Sequence, residues 1–160
     1  MEEIEQRVLT SLEAHGVSDY KVIEIDPAHA DTEQFCAVYG YPPERSANTI
    51  VVASKRGERR HVACVLLATT RLDVNGAVRR LAGFSKASFA DPEETAALTG
   101  MLIGGVTPFG LPPMPLYVDR AVTEQPRILL GGGSRSKKLE VAPESLLALP
   151  QVQVVDDLAR

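Results

Sequence analysis

Residues 100–110 read Gly-Met-Leu-Ile-Gly-Gly-Val-Thr-Pro-Phe-Gly, an apolar run that breaks at a glycine pair and is then fixed by a Thr-Pro step. Glycine permits positive φ and close approach of other atoms, whereas proline sets φ and withdraws one N–H. A loop built this way is rigid and carries bare amides, which suits it to gripping a carbonyl oxygen or a phosphate. The apolar residues before it read as a buried strand ending in a turn. A tight turn without chemistry is the plainer reading of the same residues, and the local sequence leaves both open.

A second glycine stretch runs Gly131-Gly132-Gly133-Ser134-Arg135-Ser136-Lys137-Lys138. It fails the phosphate-loop pattern, because Ser136 stands where glycine should precede the lysine and Lys138 stands where Ser or Thr is needed. A flexible loop with three cations could still touch a nucleic-acid end electrostatically. Lys55, Arg56, Arg59, Arg60 and His61 form a second basic patch, which also reads as a solvated turn. His15, His29 and His61 belong to no nucleophile motif and read as surface or structural residues. Cys36 and Cys64 are isolated, without metal-site spacing, and read as buried free thiols.

The elements that must position these loops follow from periodicity and punctuation. Ile4, Val8, Leu9 and Leu12 place a helix over 3–14, stopped at His15-Gly16. A short strand follows at 22–25. Asp31 can cap a helix over 32–39 that stops at Gly40, and Pro42-Pro43 makes a linker. Strands at 49–53 and 61–68 flank a turn at 55–58. Asp73 opens a helix over 74–82, ended by Gly83. Asp91-Pro92-Glu93-Glu94 combines a capping side chain, a first-turn proline and acids against the helix dipole, and this helix ends at Gly100. Strands are expected at 116–118, 127–130, 138–141 and 152–155, a short helix at 143–149, and a frayed tail. Irregular interleaving of helices and strands with one hairpin indicates a mixed α/β (α+β) fold in one domain over 1–160.

Composition narrows the class. The 160 residues are 44% hydrophobic and 24% charged, ample for a core of Leu, Val, Ile and Ala in a chain without Trp. The net charge of −4 opposes a broad nucleic-acid-coating surface but leaves room for a local grip on one nucleic-acid end. No apolar run approaches the roughly 20 residues of a membrane helix. The acidic start at Glu2, Glu3 and Glu5 is unlike a secretory signal, so a cytoplasmic protein with no membrane association is expected.

The order of these pieces carries a resemblance. Ala47-Asn48-Thr49-Ile50-Val51-Val52, Arg71-Leu72-Asp73, Ala90-Asp91-Pro92-Glu93-Glu94, Leu98-Thr99-Gly100, Gly104-Gly105-Val106-Thr107-Pro108-Phe109-Gly110, Tyr117-Val118-Asp119 and Gly131-Gly132-Gly133 leading to Leu139-Glu140-Val141 occur in succession. Together they resemble the YbaK family, also called the aminoacyl-tRNA synthetase-associated or prolyl-tRNA-synthetase insertion-like editing domain, over nearly the whole chain. The resemblance implies a mixed α/β domain with a central barrel-like sheet flanked by helices. It implies hydrolysis of the ester joining a wrong amino acid to the 3′ end of tRNA, with no metal or organic cofactor. The implied partners are the acceptor end of an aminoacylated tRNA and an aminoacyl-tRNA synthetase.

The family motif Gly-x-x-x-Pro maps onto Gly104 and Pro108. By the resemblance, the backbone of Gly104, Gly105, Val106 and Thr107 holds the aminoacyl group and the attacked carbonyl. Water is assisted by the substrate's own ribose hydroxyl, so no protein base is required. Asn48 would orient the carbonyl or the terminal ribose, with Thr49 beside it offering a hydroxyl; a strand-edge Asn bonded to neighbouring backbone is the alternative. Asp119 would bind an amino group or ribose hydroxyl, or else cap the turn after Val118. Gly132, Gly133, Arg135 and Lys137 would close over the site and meet the substrate.

One departure matters. Active members of the family carry lysine where this chain has Asn48. Asparagine donates hydrogen bonds but cannot neutralise an anion. Loss of a charge-assisted contact to the transition state would cost about 2–4 kcal/mol, roughly hundredfold in rate or more. The expected function is therefore a trans-acting aminoacyl-tRNA deacylase with an altered site. The alternatives are a catalytically weakened binding module of the same fold, taking aminoacyl-tRNA, a synthetase or an amino-acid-like ligand, and a small-ester or amide hydrolase reusing the pocket.

Overall fold

The computed structural model describes residues 2–160. The chain opens with helix α1 (Glu3–Ala14), which buries Val8 and Leu12 on one face and carries Glu3 and Glu5 in its first turn. Strand β1 (Tyr20–Glu24) follows, and after it helix α2 (Thr32–Tyr39), stopped at Gly40 as the sequence indicates. The hairpin β2 (Ala47–Ser54) and β3 (His61–Leu67) forms the centre of the fold. Beyond it lie α3 (Arg79–Ala82), β4 (Ala87–Phe89), α4 (Pro92–Thr99), β5 (Leu116–Asp119) and α5 (Arg120–Thr123). The chain closes with β6 (Ile128–Gly131), β7 (Lys137–Val141), a 3-10 segment at Pro143–Ala148 and β8 (Val152–Val155).

The strands form two sheets. The larger has the order β4-β2-β3-β5-β8, antiparallel around β2 and parallel across β3-β5-β8. The smaller, β1-β7-β6, is antiparallel throughout. Among the described residues, a single parallel bridge between Ser46 and Leu129 joins them. The mixed α/β class is as expected, with the β-structure built as two sheets joined through this bridge and no closed barrel among the described residues.

Both faces of the large sheet are covered, which is why its strands read as nearly unbroken apolar runs. Ala63, Val65, Leu116 and Val118 pack with α1, β6 and β7 in the main core. Val52, Cys64 and Tyr117 pack instead under Val74, Val78, Phe84 and Leu158. A third cluster of Ile25, Ala30, Phe35, Cys36 and Leu129 lies beneath α2. Cys36 and Cys64 are free and buried, as their apolar surroundings indicate, and burial pushes the Cys64 thiol up to about 12.

Three local expectations differ. Residues 101–103 form no strand: the chain leaves α4 and turns at once, with the Gly105 N–H bonded to the Leu102 carbonyl at 2.8 Å. Met101 is buried, whereas Leu102 and Ile103 project outward with no strand edge to pair with. The helix expected over 74–82 starts as a π-helical turn, Val74–Val78, because the Asp73 carboxylate takes the N–H groups of Gly76 and Ala77 and widens the first ring. The tail does not fray. Arg71 and Arg160 exchange backbone hydrogen bonds at 2.7 and 2.9 Å, and Leu158 is fully buried.

Candidate functional site

The two glycine stretches, twenty residues apart in sequence, form one wall. The Gly133 N–H donates to the Gly105 carbonyl at 2.7 Å. A Cβ on Gly105 would lie 2.6 Å from the Ser134 carbonyl oxygen, and one on Gly131 would lie 2.4 Å from that of Val106. Backbone meets backbone here, and no side chain other than hydrogen fits between. Gly104 adds a positive φ of 91°, and a Cβ there would lie 3.0 Å from that of Ala30.

This wall borders a cleft of about 340 Å³. Asp31, Thr32 and Phe35 of the α2 region form its second side, Ser46 to Ile50 of β2 its third, and Leu129 to Gly131 of β6 with Lys138 of β7 its floor. Of the residues singled out from sequence, the cleft gathers Asn48, Thr49, Gly104 and Val106. The N–H groups of Gly104 and Val106 make no hydrogen bond among the described residues, so both amides are available to a ligand. The Thr49 hydroxyl, buried in the same cleft, likewise has no partner, and neither has that of the fully buried Thr107.

Asn48 is half-buried at the start of β2. Its Oδ1 accepts a 2.7 Å hydrogen bond from the Thr32 hydroxyl, which fixes the carboxamide and leaves its NH2 group as the end able to donate. Asp31 does not cap α2 through its side chain. Its carboxylate is engaged by Arg135 at 3.1 Å, and the same guanidinium donates to the carbonyls of Pro27 and Ile103. Arg135 thus ties the mouth of the cleft across three segments.

Other expected residues lie elsewhere. Asp119 is not among the residues lining the cleft: it is buried on β5 and accepts from the Leu158 N–H at 3.1 Å, with burial raising its carboxyl pKa. Its side chain makes no cap to the turn that follows Val118 and instead ties β5 to the C-terminal segment. Lys137 faces β1, paired with Glu24 at 2.6 Å. Gly132 and Gly133 are buried in the packed wall, and Pro108 borders a separate small hollow with His15 and Met114. The basic patch at 55–61 is largely spent, since Arg59 and His61 both hold Glu94, whose carboxyl they lower to about 2, and Arg60 lies over the Phe84 ring.

Sequence reasoning missed one functional candidate. Lys138, one of the three cations of the second glycine stretch, is 5% exposed and its ammonium donates to the Gly104 carbonyl at 2.8 Å. It sits 5.4 Å from the centroid of the Phe35 ring. Desolvation lowers its pKa to about 8, partly opposed by Asp31 and reinforced by Arg135. The available signal was alternation along β7: Leu139 and Val141 point to the main core, so Lys138 must point to the opposite face. Only the packing of α2 over that face turns the position inward. No cluster of His, Cys, Asp or Glu able to hold a metal occurs among the described residues, and no helix among them is long and apolar enough to cross a membrane.

A model of the aminoacyl-tRNA editing domain family matches residues 26–149. The uncharacterized protein YwhH of Bacillus subtilis is 32% identical over 126 residues, 78% of each chain. The multifunctional Ser/Thr-tRNA deacylase ProXp-y of Escherichia coli is 26% identical over 94% of this chain and 90% of its own. A solved structure of a candidate trans-editing enzyme for prolyl-tRNA synthetase superposes with a TM-score of 0.82 at 29% identity, covering 98% and 97% of the two chains.

Proposed function

The chain belongs to the aminoacyl-tRNA editing domain family, and from that premise we propose that it acts in trans to hydrolyse the ester joining a mismatched amino acid to the 3′ end of tRNA. The observation that carries this reading is the gathering of Asn48 and Thr49 with Gly104 and Val106 around one cleft. The aminoacyl group enters the cleft, and the terminal ribose stays at its mouth beside Arg135. The free amides of Gly104 and Val106 hold the ester carbonyl and stabilise the oxyanion that forms on it, as preorganised donors that need no rearrangement. The Asn48 NH2 group orients the carbonyl or the ribose.

The cleft offers no histidine, and its one carboxylate, Asp31, is held by Arg135. Water activation is accordingly assigned to the ribose hydroxyl adjacent to the ester. Water adds to the carbonyl carbon, the bond from that carbon to the ribose oxygen breaks, and the proton ends on the leaving hydroxyl. The products are a free amino acid and uncharged tRNA, and no cofactor takes part. A synthetase that releases mischarged tRNA is the partner this role requires.

A panel of aminoacyl-tRNAs tests the reading, beginning with seryl-, threonyl-, alanyl- and cysteinyl-tRNA. Ester loss above the spontaneous rate is expected for at least one, and no acceleration with any of them overturns the reading. The bond from Thr32 to Asn48 favours a second reading, in which the carboxamide is locked as a structural group and the protein binds without turnover. Saturable binding with ester loss at the spontaneous rate would select it.

A further inference from the structure

We propose that Lys138 is the cation this cleft presents to the aminoacyl ester carbonyl, in place of the lysine absent from position 48. The inference rests on the deacylase reading above and adds to it a residue from a different strand. Its ground is an imbalance of charge and hydrogen bonding in the cleft.

An ammonium has three N–H donors. That of Lys138 spends one on the Gly104 carbonyl, and no other partner is found among the described residues. No carboxylate is paired with it among them, because Asp31, the acid facing it, is engaged by Arg135. The groups around it are Asp31 ahead of α2, Cys36 of α2 and Arg135 of the glycine loop. The first opposes the loss of charge on burial, and Arg135 favours it. Phe35 contributes only the face of its ring. A buried cation with unspent donors is costly unless something with lone pairs or negative charge arrives.

The oxyanion of ester hydrolysis is such a group. The Gly104 residue links the two halves of the proposed oxyanion site: its carbonyl holds the ammonium, and its unbonded N–H belongs to the same cleft wall. Lys138 is therefore placed beside the loop amides, where Asn48 can supply a hydrogen bond but no charge. Lys138 neither gains nor loses a proton in the step. It donates to the carbonyl oxygen while water adds, and releases that oxygen when the bond from the carbonyl carbon to the ribose oxygen breaks. The charge has in effect been moved from the start of β2 to β7, across the cleft.

The test compares the unmodified protein with Lys138→Met and Lys138→Arg on the aminoacyl-tRNA it cleaves best. Lys138→Met is expected to lower kcat about hundredfold, as removal of an oxyanion donor does, with little change in KM. Lys138→Arg should retain at least a tenth of the activity. After subtraction of spontaneous hydrolysis, the unmodified rate should fall as pH rises through about 8, and the Arg variant should not show this fall. A role confined to bracing the loop would give both proteins the same pH profile, and that result, or an unchanged kcat in Lys138→Met, overturns the inference.

A second measurement separates this from failure of the deacylase reading. The non-hydrolysable 3′-amide analogue of seryl-adenosine is titrated into protein observed by NMR at Lys138. Slowed exchange of the ammonium protons and at least fivefold weaker binding by Lys138→Met are expected. If no aminoacyl-tRNA is cleaved but these effects appear, the deacylase reading falls and the contact stands. If the analogue leaves Lys138 unchanged, the inference falls whatever the activity.

Discussion

The Gly133 N–H and the Gly105 carbonyl meet at 2.7 Å, and through this bond two separate glycine stretches of the sequence become one surface. The cleft exists because this wall is flat backbone.

Gly131→Ala places a Cβ 2.4 Å from the Val106 carbonyl oxygen and 2.7 Å from the Gly105 carbonyl carbon. Backbone cannot yield as a flexible side chain does, so overpacking of about 1–3 kcal/mol or more is expected. Urea unfolding should show the lower midpoint, and activity should fall further than stability, because the displaced segment carries the Val106 amide. Gly57→Ala is a suitable control: it has no atom within 4 Å of the new Cβ, only a positive φ of 73°.

Thr32→Val removes the donor that fixes Asn48. One hydrogen bond is worth about 1 kcal/mol, or roughly fivefold in an equilibrium. A rise of that size in KM, with the fold intact by circular dichroism, is expected. An unchanged KM would mean that Asn48 does not contact substrate.

Arg135→Gln releases the mouth of the cleft, since the guanidinium holds Asp31 and the carbonyls of Pro27 and Ile103 together. These contacts lie at the exposed mouth, where solvent screening limits such an ion pair to about 1 kcal/mol or less. Amide hydrogen exchange should accelerate at residues 102–105 and around 27–31, and substrate affinity should weaken. Equal exchange in both proteins would contradict the bracing role.

Lys138 also makes stability depend on pH. Its folded pKa of about 8 lies below the usual lysine value, so between about pH 8 and pH 10.5 the unfolded chain binds more protons than the folded one. Stability then rises with pH across that window, and the cost of the buried charge, on the order of 3 kcal/mol, is fully present below it. Lys138→Met removes this cost but orphans the Gly104 carbonyl. The Tm of the variant relative to the unmodified protein should therefore be highest near pH 7 and decline toward pH 10. A pH-independent difference would show that the ammonium is well solvated.

Much of the fold could be read in advance because its signals are local. Asp91 caps α4 through its carboxylate to the Glu94 N–H, and Asp73 holds the start of the following turn, each within four residues of its partner. The β2–β3 hairpin announces itself by two apolar runs around a short polar turn. The run at 101–103 misled for the same reason: three apolar residues look alike locally, and whether a strand edge waits beside them is a long-range fact. The frayed tail and the capping by Asp31 failed likewise, one because Leu72 pairs with Ala159 and the other because Arg135 takes the carboxylate.

For the cleft, the sequence by itself determined the glycine loop, the Asn at position 48 and the order of motifs that marks the family. It also supplied the apparent loss of a charge. Only the tertiary structure decided where charge resides. Strand alternation turns Lys138 away from the main core, and α2 packing through Phe35 over that face excludes water from it. Burial and electrostatics depend on what covers a residue, and what covers Lys138 lies about a hundred residues earlier in the chain.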